Sequence, residues 1–160
     1  MGPAPPKILA IDDDRHTVDG LLSELRIYYG IVIEVAETIA QAEARLKETS
    51  FDFLIVDLRF AYNGHVVEDA GLQLMLRLRV GKYGETNKST PYLLLTAQDF
   101  HLGKVESKFS DAEIAIASSG RVATIGKGYS IRELADKIGA TLGLARRNLG
   151  ETTSFHSSRS

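Results

Sequence analysis

The sequence predicts an α/β fold in which a doubly wound, five-stranded parallel sheet carries helices on both faces. Two patterns predict it. Short apolar, β-branched runs alternate with amphipathic stretches of about ten residues or more, the order expected of a parallel sheet. The stretch Phe51-Asp52-Phe53-Leu54-Ile55-Val56-Asp57 then places four consecutive apolar residues directly before a carboxylate. Such a run suits a strand buried on both faces.

In chain order, Lys7 to Ile11 reads as the first strand, followed at once by Asp12-Asp13-Asp14. Val18, Leu21, Leu22 and Leu25 recur at the spacing of one helix face, and Gly30 ends that helix. Ile31 to Val35 is the second strand. Thr38 with Gln41 forms a capping-box signature, and Ile39, Ala42 and Leu46 carry the second helix to about Glu48. The third strand ends at Asp57. Phe60 to Ala70 reads as a loop, long for a βα connection, and Gly71 to Arg79 as the third helix. Gly81 to Thr90 is a polar loop, Tyr92 to Leu95 the fourth strand with Thr96 at its end, and residues 98 to 109 give no firm assignment. Ser110 with Glu113 caps a helix to about Ser118, and Val122 to Ile125 is the fifth strand. Ser130 with Glu133 opens the last helix, with Ile131, Leu134, Ile138 and Leu142 on one face. It is expected to run to Gly150, with Arg146 and Arg147 in its final turns, where cations suit the helix dipole. Residues 1 to 6 read as a disordered leader, 7 to 149 as one domain and 150 to 160 as a polar tail or linker start.

Composition narrows the function classes. The 160 residues suffice for one ordinary core, with 44% hydrophobic and 25% charged residues. A formal net charge of -2 gives no reason to expect nucleic-acid contact. Cysteine is absent, which excludes disulfides and thiolate chemistry and fits a reducing cytoplasm. No apolar run approaches the roughly eighteen residues of a membrane span. The four histidines (His16, His65, His101 and His156) show no metal-ligand spacing. Gly120 to Lys127 is not a P-loop, because it has one residue too many and no following Ser or Thr.

A parallel sheet brings the ends of strands one, three, four and five to one edge, with Asp12, Asp13, Asp57, Thr96 and Lys127. Converging carboxylates repel one another, and a hard divalent cation relieves them; an oxygen-only site suits Mg²⁺. An ammonium group and a hydroxyl beside it suit phosphoryl oxygens. An Asp held there can act as a nucleophile and form an acyl phosphate. The plainer reading is that each residue is separately a turn or cap residue, which is common for an Asp after a strand.

Here the chain resembles the response-regulator receiver domains of two-component signalling. The matching pieces are Ile8 to Asp14, Phe51 to Leu58, Leu94-Leu95-Thr96-Ala97 and Gly120 through Lys127, in a resemblance spanning about residues 7 to 145. It implies a flavodoxin-like (βα)5 sheet of order 2-1-3-4-5. It also implies Asp57 as phosphoacceptor, Asp12 and Asp13 organising Mg²⁺ with Asp57, and the backbone carbonyl of Arg59 completing the ligands. Lys127 would bind a phosphoryl oxygen and Thr96 would turn its hydroxyl to the group. The phosphoryl donor would be a histidine kinase or phosphotransfer protein, and the output would pass through contacts with a downstream protein. Such a domain is not an enzyme with turnover; it accepts a phosphoryl group and slowly loses it.

The chain departs from the family pattern in several places. The position after Lys127, commonly Pro, is Gly128, and the aromatic expected three residues before Lys127 is Thr124; Tyr129 lies nearby, as a substitute for it or, more plainly, as an ordinary exposed or half-buried Tyr. The Asp57 to Gly71 path is longer than usual by roughly six residues and the Thr96 to Gly120 segment by roughly nine. Arg59 and Gln98 flank the site at variable positions, where their side chains either gate the water reaching an acyl phosphate or are simply solvated. Two rival readings follow. One is a receiver fold used as a phosphorylation-independent docking module. The other is a phosphatase of the haloacid-dehalogenase type, with Asp12 as nucleophile and Asp14 as general acid; it lacks the acidic pair beyond Lys127 and leaves Asp57 unexplained.

Overall fold

In the computed structural model, residues 4–62, 64–97, 102–126 and 128–149 are described. The expectations for residues 1–3, 98–101 and 150–160 lie outside them.

Five strands form one parallel sheet: β1 (Lys7–Ile11), β2 (Val32–Ala36), β3 (Phe53–Asp57), β6 (Tyr92–Thr96) and β7 (Arg121–Gly126). Two further strands, β4 (Phe60–Tyr62) and β5 (His65–Val67), pair antiparallel outside it. The sheet order β2-β1-β3-β6-β7 is the expected 2-1-3-4-5 once that hairpin is set aside. The helices are α1 (Arg15–Tyr29), α2 (Ile39–Glu48), α3 (Ala70–Arg79), α4 (Leu102–Glu106), α5 (Asp111–Ser118) and α6 (Ile131–Thr141).

Alternation along the central strands builds a core on each face. Ile8, Ala10, Phe53, Ile55, Leu93 and Leu95 pack with Val18, Leu21, Leu25 and Ile138 of α1 and α6. Leu9, Ile11, Leu54, Val56, Tyr92 and Leu94 pack with Leu46 of α2, Leu72 and Met75 of α3 and Ala117 of α5. All five residues of β3 are buried, as an unbroken apolar run demands.

The helix starts at Thr38, Ser110 and Ser130 follow their sequence signals, and Asp14 supplies a further cap that the spacing did not announce. Asp14 caps α1, Thr38 caps α2, Ser110 makes a full capping box with Glu113, and Ser130 caps α6. The Gln41 side chain accepts from the Glu37 amide, one residue earlier than the expected box geometry.

Three expectations are corrected. The Phe60 to Ala70 loop is a hairpin, closed by a turn in which Gly64 has φ of 80°. The last helix stops at Thr141 rather than Gly150. Gly143, at φ 71°, lets the Leu144 amide return to the Gly139 carbonyl at 2.8 Å and the Gly143 amide to Ala140 at 3.0 Å. That pair of bonds is a Schellman ending. Arg146 and Arg147 therefore lie in a segment that turns back along α1, where the Arg147 amide donates to Tyr28 O at 2.8 Å. The Arg146 guanidinium reaches Glu24 at 2.7 Å and Asp136 at 2.9 Å and lies over the Tyr28 ring. Finally, β2 begins one residue later than expected, at Val32, whose amide donates to the carbonyl of Pro6.

Candidate functional site

The strand order reverses between β1 and β3, and open α/β sheets form a crevice at the carboxyl ends beside such a point. Ile11 is opposite Val56 in the ladder, so Asp12 and Asp57 leave the sheet side by side. Asp57 is the last residue of β3 and 3% exposed; Asp12 is 1% exposed. Asp12 Oδ1 accepts the Asp14 amide at 2.8 Å, which folds the acidic turn back on itself. Asp14 serves the helix: its carboxylate accepts the His16 amide at 3.1 Å, and a bond from the Thr17 side chain holds it below the usual carboxylate range.

The carboxylates of Asp12, Asp13 and Asp57 offer oxygens that all lie within 4.8 Å of one another. Among the described residues no other group of this kind occurs. Three oxygen donors, two of them deeply buried, match a hard divalent cation, because their mutual repulsion falls only when positive charge arrives. A pocket of about 200 Å³ opens beside them, lined by Asp13, Asp14, Asp57, Arg59, Phe60, Ala61 and Val66.

Glycine makes the support behind Asp57 possible. The Gly71 amide donates to Leu58 O at 2.9 Å, and a Cβ on Gly71 would stand 2.3 Å from the Asp57 carbonyl oxygen. The first turn of α3 therefore sits against the backbone that presents Asp57. Thr96 ends β6 at 7% exposure, level with Gly126 and one residue beyond the Asp57–Leu95 pairing. Arg59 lines the pocket, and its guanidinium is 3.7 Å from Glu68. Lys127 and Gln98 lie outside the described residues.

No family model matches the chain, and no curated protein does. Solved structures do. A response-regulator receiver domain from Francisella is 24% identical, with 85% of this chain and 95% of that one covered at a TM-score of 0.62. A putative response regulator from Chloroflexus aurantiacus is 24% identical, with 88% and 99% covered at 0.65. The receiver domain of a sensor histidine kinase from Pseudomonas aeruginosa, solved with magnesium coordinated in its active site cleft, is 17% identical, with 88% and 99% covered at 0.63. This chain has the receiver-domain fold.

Within the receiver fold, the position of the expected aromatic is Thr124, exposed on β7 and 3.4 Å from Arg121 Nη1. Tyr129 is half-buried against the α1 side of the core and its hydroxyl donates to Thr17 O at 3.3 Å. Burial first, and the Asp12 charge second, push that hydroxyl above its ordinary range. This aromatic stands in the loop before α6, on the α1 side of the sheet.

Sequence reasoning missed the hairpin residues. Ala61 donates its amide to Asp13 Oδ2 at 2.9 Å, while Phe60 and Val66 help line the pocket. The signal was present: Asn63-Gly64 between Phe60-Ala61-Tyr62 and His65-Val66-Val67 is the dipeptide most favoured in two-residue hairpin turns.

Proposed function

We propose that the protein accepts a phosphoryl group on Asp57 from a histidine kinase or phosphotransfer protein and signals through contacts with another protein. The observation that carries this reading is the convergence of Asp12, Asp13 and Asp57 within 4.8 Å at the switch point of a receiver fold. An Asp57 oxygen attacks phosphorus, the bond from phosphorus to the donor breaks, and an acyl phosphate results. Asp12, Asp13 and Asp57, with the Arg59 carbonyl, would hold Mg²⁺. When bound, the ion offsets negative charge between the carboxylates and the incoming phosphoryl oxygens. Lys127 supplies a second cation to those oxygens, and Thr96 a hydroxyl. The rest of the contribution is positioning, since β1 and β3 deliver the carboxylates already in register.

Self-phosphorylation and slow self-dephosphorylation are the only chemistry assigned. No nucleic-acid contact by this domain is proposed. Among the described residues no helix is long and apolar enough to cross a membrane, and a cytoplasmic setting is proposed.

Labelling with acetyl phosphate in the presence of Mg²⁺ tests the reading. Parent protein should take up acid-stable, base-labile phosphate, and Asp57→Asn should take up none. Label retained in Asp57→Asn but lost in Asp12→Asn would replace this reading with the phosphatase one. Normal labelling that leaves partner binding unchanged would replace it with a docking module.

A further inference from the structure

The geometry points to a second role for the β4–β5 hairpin: it is a cover that holds Asp13 and slows hydrolytic loss of a phosphoryl group from Asp57. This rests on the phosphoacceptor reading of Asp57 and adds a control on how long the group survives.

The hairpin is fastened at several points. Only Leu58 and Arg59 separate it from β3, and Phe60 is 2% exposed in the core on the α3 side. The Ala61 amide reaches across to Asp13 Oδ2 at 2.9 Å, a bond to a charged acceptor and so stronger than a neutral one. On the returning side, Glu68 pairs with Arg59 at 3.7 Å and ties the end of β5 to the chain leaving β3. The acidic site thus has one of its carboxylates positioned by an element outside the main sheet.

The hairpin also presents an apolar surface where the core gains nothing from it. Val66 is opposite Ala61 in the ladder and 57% exposed, yet it lines the pocket with Asp13, Asp14 and Asp57. Hydrolysis of an acyl phosphate needs a water in that pocket. The water oxygen bonds to phosphorus, the bond from phosphorus to the Asp57 oxygen breaks, and the carboxylate is restored as inorganic phosphate leaves with the water's protons. A wall of Ala61 and Val66 limits where such a water can stand, and excluding water is a recognised means of protecting reactive intermediates.

The full chain, labelled with radioactive acetyl phosphate and Mg²⁺ and then freed of donor, tests this by the rate at which label is lost. Val66→Ser and Glu68→Gln change exposed or half-exposed side chains and leave Asp12, Asp13 and Asp57 intact, so both should still take up label. They should then lose label on the order of tenfold faster. Ala61→Pro removes the amide donor; it should also weaken Mg²⁺ binding to the unphosphorylated protein, read by calorimetry. Where Ala61→Pro is shown by circular dichroism to be unfolded, the two side-chain variants decide. Label taken up and then lost at the parent rate in both would overturn the proposal. Absence of label in the parent, or label surviving in Asp57→Asn, would instead overturn the phosphoacceptor reading, and is seen before any decay is measured.

Discussion

The side-chain amide of Asn87 donates to the Leu46 carbonyl at 2.8 Å, joining two residues 41 positions apart. It also donates to Thr49 O at 2.7 Å, and its oxygen accepts the Phe51 amide at 2.9 Å. With Asn87 fully buried, one side chain satisfies the end of α2 and the approach to β3 while anchoring the polar loop that follows α3.

Removing it leaves buried backbone groups without partners, each worth about 1–3 kcal/mol. Asn87→Ala should lower stability by about 3 kcal/mol or more, read as a drop in urea midpoint with an unchanged slope. A change below about 1 kcal/mol would show that water replaces the lost bonds.

Gly139 tests two opposed effects. An Ala in a helix interior normally gains about 1 kcal/mol over Gly. Here the added Cβ would lie 2.3 Å from Tyr29 Cε1, in the packed α1–α6 contact, and overpacking costs about 1–3 kcal/mol. Gly139→Ala should therefore be net destabilising, by about 1 kcal/mol in thermal unfolding, and a Tyr29→Ala background should restore the sign expected of a helix.

Gly71→Ala should act on the site as well as on stability. Its Cβ meets the Asp57 carbonyl oxygen at 2.3 Å, a backbone atom that cannot swing aside. Loss of about 2 kcal/mol is expected, together with slower uptake of label from acetyl phosphate. Parent-like labelling in this variant would mean that α3 can retreat without moving Asp57.

Glu34 carries a pH dependence of stability. Two bonds from Arg45, at 2.7 and 2.8 Å, and Lys7 at 3.0 Å hold its carboxyl down to about 2, from an ordinary value of 4.5. Because the folded-state pKa is depressed, the stabilisation is present above about 4.5 and disappears as pH falls towards 2. The group is partly exposed, so solvent screening limits it to about 1 kcal/mol. The parent should exceed Glu34→Gln in stability by that amount at neutral pH, and the gap should close on acidification. A gap independent of pH would remove the ion pair as its cause.

The sheet was legible because its signals are local. The apolar run into Asp57, the caps at Thr38, Ser110 and Ser130, and the alternation of strand and helix all act over a few residues. The end of α6 was misread for a related reason: Gly143 and Gly150 are both plausible stops, and the Arg146 contacts with Glu24 and Tyr28 that draw the segment back along α1 are long-range. Arg79 shows the same limit. It is 8% exposed and donates to Ser119 O and Lys88 O, bonds that depend on where α5 and the loop before β6 come to rest. Helical spacing puts it on the face of Leu72 and Met75, unlike Arg77, which donates to the Tyr83 hydroxyl, but spacing does not say which carbonyls the buried guanidinium meets.

By itself, the sequence determined that Asp12, Asp13, Asp57 and Thr96 fall at strand ends, because side-chain periodicity and caps set where each strand stops. Only the tertiary structure decided that the first three stand within 4.8 Å, since that depends on β1 pairing directly with β3. Only it placed the Ala61 amide on Asp13 and Val66 beside the pocket. An Asn-Gly turn specifies a hairpin, but the direction in which a hairpin leans is set by the surface it finds. Here that surface is the acidic turn after β1 and the core that buries Phe60.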